Sequence, residues 1–148
     1  RAGADAVLGS GEAFWLTITV FALVWASDTT AYYVGKAIGR HPLAPSISPK
    51  KTWEGSIGGA IGSVVVALIL WKMDLVSLRW FDFVVLGLIC GSLAQLGDLA
   101  ESRLKRVAGV KDSGTILPGH GGLLDRLDAM IVAVPLAYMY LAFVAGVV

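Results

Sequence analysis

The sequence has few charged residues and almost no cysteine. Charged residues make up 16% of the chain, against roughly 25% in an average soluble domain, while hydrophobic residues make up 56%. This balance argues against a soluble domain and indicates a membrane protein. The single cysteine, Cys90, excludes an internal disulfide. With no cysteine cluster and only His41 and His120 in the chain, a zinc site is poorly supported.

Two common catalytic patterns are missing as well. The sequence contains no GxxxxGK[ST] phosphate-binding loop. Ser102 and Ser113 lack the His and Asp partners that a nucleophilic triad requires. Neither a nucleotide site of that loop type nor a serine hydrolase is therefore indicated.

Four apolar segments approach the ~20 residues that a helix needs to cross a bilayer. They cover about residues 14–34, 57–71, 83–99 and 127–148. We therefore predict an all-α, polytopic integral membrane protein with about four transmembrane helices and a polar site at its cytoplasmic side. Glycines in the second segment (Gly58, Gly59 and Gly62) favour close helix packing.

The cations are distributed unevenly along these segments. Short loops make neighbouring helices alternate in direction, which leaves Arg1, Lys72 and Arg79 at one membrane face. The other face receives the remaining nine of the twelve Lys and Arg residues: Lys36, Arg40, Lys50, Lys51, Arg103, Lys105, Arg106, Lys111 and Arg126. The positive-inside rule assigns this richer face to the cytoplasm, and both termini to the outside.

Most acids gather at the same face: Asp28, Glu54, Asp98, Glu101, Asp112, Asp125 and Asp128. Several lie within or at the edge of the hydrocarbon, where ionisable groups are costly and usually functional. Ion pairs at the membrane edge, or acids favoured by a helix N-terminus, would be the structural explanation. Because four separate segments bring these acids to one face, a functional site is favoured over these structural explanations.

The mixture of charges points to a class of chemistry. Asp98, Glu101 and Lys105 share one helix stripe, and Asp125 and Asp128 share a face at the start of the fourth span. Carboxylates from two helices suit a hard cation such as Mg²⁺. The cations suit phosphates: Lys50, Lys51, Lys105, Arg106, Lys111 and Arg126. Together they indicate phosphoryl or nucleotidyl transfer.

The stretch SRLKRVAGVKDSGTILPGHGGLLDRLD, residues 102–128, resembles position for position the signature of the phosphatidate cytidylyltransferases, or CDP-diacylglycerol synthases. Two upstream stretches, SDTTAYYVGKAIGRH and ISPKKTWEGSIGG, are also similar to that family. The resemblance covers about residues 26–128. Members of the family are usually nearly twice this long. We therefore expect residues 1–148 to form a single membrane-embedded catalytic domain, the C-terminal half of a longer architecture.

The resemblance implies a nucleotidyltransferase of phospholipid biosynthesis. It would make CDP-diacylglycerol and pyrophosphate from CTP and phosphatidic acid, with Mg²⁺ as cofactor. The implied partners are CTP, phosphatidic acid and the lipid bilayer; a homodimer is compatible with the resemblance, and no nucleic acid is expected. The implied location is the bacterial inner membrane, with the active site facing the cytoplasm.

The resemblance also implies roles for individual residues. The catalytic set is Asp98, Asp125, Lys105 and Arg126. The metal ligands are Asp98, Asp125 and Asp128. The substrate-binding set is Lys50, Lys51, Lys105, Arg106, Lys111, Asp28 and His120. Within that set Lys50 and Lys51 reach the CTP triphosphate, and His120 shapes its glycine-rich loop or donates a hydrogen bond.

Three other functions remain open from the sequence. A CDP-archaeol synthase or a polyprenol kinase would share these acids and cations and differ in lipid or nucleotide. A transporter would use intramembrane acids such as Asp28 and Asp98 as a cation or proton relay. A non-catalytic half would bind lipid and need a partner for turnover.

Overall fold

The chain folds mainly into helices. In the computed structural model the described residues are 9–110 and 124–146, with the backbone alone for residues 10 and 124–127. The elements, in chain order, are α1 (Ser10–Ile38), β1 (Pro42–Ala44), β2 (Ser48–Thr52), α2 (Trp53–Lys72), α3 (Trp80–Leu88), α4 (Ala94–Val107) and α5 (Leu124–Tyr140). A π-helical turn, Ile89–Leu93, joins α3 to α4, and another, Leu141–Ala145, extends α5.

Four helices in the described part of the chain are long and apolar enough to cross a membrane. They are Gly11–Ile38, Trp53–Lys72, Trp80–Val107 and Asp128–Ala145. The prediction of an all-α, polytopic integral membrane protein is confirmed. The third helix continues well past the end of its apolar segment near residue 99, because a helix does not need to stop where its hydrophobic residues stop.

A short antiparallel hairpin, β1 with β2, was not predicted. Pro42 pairs with Thr52, and Ala44 pairs with Ser48. Prolines at 42, 45 and 49 account for the break in helix, because each ring fixes φ and removes an amide donor. Thr52 is the N-cap of α2, because its side chain accepts a hydrogen bond of 3.2 Å from the Gly55 N–H.

Small residues bring α1 and α2 together, as expected for helices that associate in lipid. A Cβ atom on Gly58 would lie 2.7 Å from the Val34 side chain, so only glycine fits there. Buried Ser63 donates a hydrogen bond of 3.1 Å to the Leu23 carbonyl across the same contact. The apolar core surrounds this seam and includes Leu23, Val24, Phe83, Leu86 and Ala133.

Contacts between helix ends show which ends lie together. At one end, Lys51 of β2 pairs with Asp98 of α4. At the opposite end, the Ser77 hydroxyl donates a hydrogen bond of 2.5 Å to Glu12 near the start of α1. We call these the hairpin end and the opposite end. The arrangement matches helices that alternate in direction.

Candidate active site

A cavity of about 560 Å³ lies at the hairpin end, a volume typical of small-ligand sites. Three parts of the chain line it. They are Asp28, Ala31, Tyr32, Gly35 and Lys36 of α1; Lys50, Lys51, Thr52, Gly55 and Ser56 of the hairpin and the first turn of α2; and Gln95 and Asp98 of α4. Lysines and carboxylates therefore share one space.

Glycines set the distance between the α1 wall and the hairpin wall. A Cβ atom on Gly55 would lie 2.8 Å from the Ala31 carbonyl oxygen, and one on Gly35 would lie 3.1 Å from Thr52 Oγ1. Gly55 needs to be glycine because a side chain there would force the two backbones apart, and a side chain at Gly35 would crowd Thr52. The close approach brings Lys51 beside the last turns of α1.

Asp98 brings together the charges of the cavity. Its carboxylate forms an ion pair with Lys51, and the Ser102 hydroxyl, one turn further along α4, donates to its Oδ1 at 3.4 Å. Asp28 of α1 lies near enough for its charge to interact with both Asp98 and Lys51. A lysine beside two carboxylates reduces the repulsion between them.

Gln95 links α4 to α2 and forms part of the same wall. Its buried Nε2 donates to the carbonyl oxygens of Ser56, at 3.1 Å, and Gly91, at 2.7 Å. Ser27 of α1 donates to the same Gly91 carbonyl at 3.1 Å. Gly91 belongs to the π-helical turn Ile89–Leu93, a type of irregularity that is frequent at functional sites. One carbonyl group thus ties α1 and α4 together beside the cavity.

A further group of charges lies where α4 crosses α5. The Glu101 side chain is only 7% exposed, and Lys105 Nζ lies 3.3 Å from its Oε2. Asp128 of α5 is near enough for its carboxylate to interact with Asp98 and Glu101. A Cβ atom on Gly97 would lie 2.6 Å from the Asp128 carbonyl oxygen, so the two helices touch at this point. Asp98 therefore belongs both to the cavity and to this acidic crossing.

The donor set fits a hard, oxygen-preferring cation. Mg²⁺ is usually held by one or two carboxylates together with waters and substrate phosphates. Within the described ranges, no group of three or more His, Cys, Asp and Glu could enclose a metal. Asp98 and Asp128 supply carboxylate oxygens of the kind that such a cation binds.

The structure describes seven of the predicted site residues and places six of them in these two regions. The cavity contains Asp28, Lys50, Lys51 and Asp98. Asp128 and Lys105 lie at the α4–α5 crossing, and Arg106 is exposed on the last turn of α4. Lys105 and Arg106 are not among the described residues that line the cavity.

The remaining predicted residues fall elsewhere in the chain. Lys111 and His120 lie outside the described residues, as do the side chains of Asp125 and Arg126. Their predicted roles stay predictions.

Sequence reasoning missed several cavity residues, among them Tyr32, Lys36, Thr52 and Gln95. Tyr32 and Lys36 follow Asp28 at intervals of four, the spacing of one helix face, and Lys36 Nζ lies 5.9 Å from the centre of the Tyr32 ring. Gln95 precedes Asp98 by one turn. A search along the helix faces that carry Asp28 and Asp98 would have found Tyr32, Lys36 and Gln95.

Comparison with known proteins places this chain in a family. Residues 6–144 match the model of the cytidylyltransferase family. The chain is 45% identical to a phosphatidate cytidylyltransferase of Brucella abortus over 94% of its own length and 52% of that protein. It is 47% identical to a phosphatidate cytidylyltransferase of Haemophilus influenzae, over 85% of this chain and 46% of that protein.

A relative from another bacterial group gives the same result. The chain is 42% identical to a phosphatidate cytidylyltransferase of Bacillus subtilis over 88% of its own length and 49% of that protein. The chain spans about half the length of these curated relatives.

Proposed function

The chain belongs to the cytidylyltransferase family, and from that premise we propose that it carries the catalytic part of a phosphatidate cytidylyltransferase. The reaction converts CTP and phosphatidic acid into CDP-diacylglycerol and pyrophosphate, a step of phospholipid biosynthesis. A phosphate oxygen of phosphatidic acid attacks the α-phosphorus of CTP. The bond from that phosphorus to the bridging oxygen breaks, and pyrophosphate leaves with the bonding electrons.

The cavity is the observation that carries this proposal. Lys36, Lys50 and Lys51 face Asp28 and Asp98 at one end of four apolar helices. Ammonium groups bind and neutralise phosphates. A cavity at the helix ends can receive a nucleotide from water and a lipid headgroup from the membrane, and this reaction requires both.

The reaction does not depend on a dedicated general base. The second pKa of a phosphomonoester is about 6, so the attacking phosphate is largely ionised at neutral pH. The main barrier is electrostatic, because two anions must meet and negative charge must move onto pyrophosphate. Lys50 and Lys51 hold the CTP triphosphate and offset that charge.

The other charged residues complete the proposed site. Asp98, with Asp125 and Asp128, would hold Mg²⁺, which when bound neutralises charge on the reacting phosphates. Lys105, Arg106 and Lys111 bind substrate phosphates, Arg126 pairs with a phosphate or a carboxylate, and His120 shapes the loop that precedes α5. Asp28 lies near enough to Lys51 for their charges to interact, and it orients that lysine.

The proposal includes a location. The cations of the hairpin end mark it as the cytoplasmic side by the positive-inside rule. The curated relatives named above are bacterial. We therefore propose the bacterial inner membrane, with the cavity open to the cytoplasm, where CTP is available.

A turnover assay on the purified chain, in detergent and in lipid vesicles, tests the function. Pyrophosphate release is measured with CTP and phosphatidic acid, each omitted in turn, with and without Mg²⁺. Asp98→Asn and Asp125→Asn should abolish release while the protein stays folded. Asp74→Asn is the matched control, because Asp74 is exposed beyond α2 at the opposite end and has a φ of 52°, which asparagine tolerates.

The outcomes separate the proposal from its rivals. Release that requires both substrates and Mg²⁺, and is lost in the two site variants alone, supports the proposal. Faster turnover with another nucleotide or with isoprenoid lipids would identify a related lipid transferase instead. Folded protein that binds neither CTP nor phosphatidic acid would contradict the proposal.

A further inference from the structure

Glu54, in the first turn of α2, joins the two chain segments that flank the hairpin. Its Oε2 accepts hydrogen bonds from the backbone N–H groups of Arg40, at 3.1 Å, and His41, at 3.3 Å. Its Oε1 lies 2.5 Å from His41 Nδ1. One side chain thus binds the segment that leads into the hairpin to the helix that follows it.

The strands of the hairpin are too short to fix its position by their own pairing. Its strands contain three and five residues, and two-stranded hairpins of this kind are marginally stable alone. Pro42 and Pro49 have no N–H group to donate to the ladder. At the base, the Trp53 N–H donates to the His41 carbonyl at 2.9 Å. Contacts at residues 40, 41, 53 and 54 therefore help to hold the hairpin, together with the ion pair between Lys51 and Asp98.

The hairpin in turn carries two cations of the proposed active site. Lys50 and Lys51 lie on β2, directly before the first residues of α2, and both line the cavity. Glu54 is not among the described residues that line it. Glu54 can therefore position a ligand in the cavity through the residues that it holds, without touching it.

We propose that Glu54 is a positioning residue: its clamp on Arg40 and His41 fixes the hairpin so that Lys50 and Lys51 meet phosphate groups in the cavity. The clamp itself follows from the contacts above. The phosphate ligand rests on the proposed function, so the experiment below measures the two parts separately.

A simpler explanation would make Glu54 an ordinary acid at a helix N-terminus, where negative charge is favoured. Two conservative variants distinguish length from charge. Glu54→Gln keeps the length and one oxygen that can accept from both backbone N–H groups, but it loses the charge. Glu54→Asp keeps the charge but is one methylene shorter and cannot reach both amides. The clamp predicts that Gln replaces Glu54 better than Asp does, and the charge explanation predicts the reverse.

The experiment uses the full chain in detergent and compares wild type with Glu54→Gln, Glu54→Asp, Glu54→Ala and His41→Ala. Amide hydrogen exchange over residues 39–52 reports the clamp. The affinity for inorganic tripolyphosphate reports the lysines without any need for turnover. KM for CTP and kcat are measured in parallel. Thermal midpoints and gel filtration show whether each variant is folded.

In Glu54→Asp and Glu54→Ala, we expect faster exchange and tripolyphosphate binding weakened by about tenfold, the effect of losing roughly one hydrogen bond to a charged group. KM for CTP should rise by a similar factor, with kcat changed less. Glu54→Gln should be impaired less than Glu54→Asp, because its amide oxygen still accepts both hydrogen bonds, although each is weaker than with a carboxylate. His41→Ala retains both backbone hydrogen bonds and should have a small effect.

Several results would overturn the inference. Wild-type exchange in folded Glu54→Asp would show that no clamp depends on the length of this side chain. Faster exchange with unchanged tripolyphosphate affinity would show that the hairpin does not position the lysines. Glu54→Gln that is impaired more than Glu54→Asp would favour the charge explanation. If Glu54→Ala fails to fold, the Gln and Asp pair still decides. Wild-type protein that binds no tripolyphosphate would contradict the proposed function, and the exchange pattern would then decide the clamp alone.

Discussion

Lys51 of the hairpin forms an ion pair with Asp98 of α4 inside the cavity. The side chains are 25% and 34% exposed, respectively, so water screens their attraction less than it would at an open surface. Asp98 is also a proposed Mg²⁺ ligand. If Asp98 binds Mg²⁺ as proposed, Lys51 and a divalent cation compete for the same carboxylate in the absence of nucleotide.

Replacing Lys51 by Met should tighten the binding of Mn²⁺ alone and weaken the binding of CTP. Removal of the competing ammonium frees Asp98, and we expect metal affinity to rise by about tenfold, or ~1.4 kcal/mol. Electron paramagnetic resonance titration of Mn²⁺ without nucleotide measures this. Lys50→Met removes the same charge from the same cavity but keeps the Lys51–Asp98 pair, so its Mn²⁺ affinity should rise much less. Unchanged or weaker Mn²⁺ binding in Lys51→Met would show that the ion pair does not limit metal access.

Replacing Gly97 by Ala should reduce both stability and turnover. The added Cβ would lie 2.6 Å from the Asp128 carbonyl oxygen and 3.1 Å from Val132 Cγ2, so α4 must move away from α5. Overpacking of this kind typically costs ~1–3 kcal/mol. The shift also displaces Asp98, the next residue, relative to Asp128. The thermal midpoint in detergent and the rate of pyrophosphate release measure the two effects.

Gly11→Ala is the control for this substitution. An added Cβ at Gly11 meets nothing within 4 Å, and alanine is the better helix former. It should therefore leave the thermal midpoint unchanged or slightly higher. If Gly97→Ala behaves in the same way, the α4–α5 contact does not fix the position of Asp98.

The sequence was sufficient to predict the membrane-spanning helices and the end at which the charges meet. Both depend on local properties, namely apolar length and the order of charged residues along alternating helices. The hairpin was missed because its strands are very short and its β2 segment, SPKKT, has no alternating apolar pattern. Its prolines exclude helix but do not specify which pairing replaces it.

Pairings between distant elements were harder to predict. The sequence supplied Lys51 and Asp98 as members of one site, but the choice of partner depends on how the hairpin places Lys51 beside α4. Glu54 stood among the acids of the site face without a role, because its partners include backbone N–H groups of Arg40 and His41. Every residue except proline has a backbone N–H group, so the sequence does not indicate which of them a side chain will bind. Helix-face spacing, in contrast, would have added Tyr32 and Lys36 to the site.

Lys105→Met should destabilise the protein through Glu101, whose side chain is only 7% exposed. Loss of one partner leaves a buried carboxylate without its cation, which typically costs ~3–5 kcal/mol. Glu101→Gln removes that charge, so the double variant should regain much of the lost stability. A double-mutant cycle on thermal or denaturant unfolding measures the coupling.

The same cycle separates structure from substrate binding at Lys105. If Lys105 holds a substrate phosphate as proposed, the double variant recovers stability but keeps a raised KM for CTP or phosphatidic acid. Recovery of both stability and KM would reduce Lys105 to a partner of Glu101. Equal stability loss in the single and double variants would contradict the ion pair as the source of the effect.

Tyr140→Phe should lower stability without lowering turnover. Asp82 is 2% exposed, and its carboxylate accepts hydrogen bonds from the Tyr140 hydroxyl at 2.8 Å and from the Arg79 N–H at 3.0 Å. Loss of the hydroxyl removes one donor from a buried carboxylate, which costs ~1.5–3 kcal/mol. The cluster lies at the opposite end from the cavity, so the rate of pyrophosphate release well below the thermal midpoint should stay at the wild-type value. Tyr138→Phe is the matched control, because Tyr138 is 55% exposed and its loss of a hydroxyl should leave the midpoint unchanged. A fall in turnover for folded Tyr140→Phe would show that the two ends are coupled through α5. Equal thermal midpoints for the two variants would show that the contact with Asp82 adds nothing to stability.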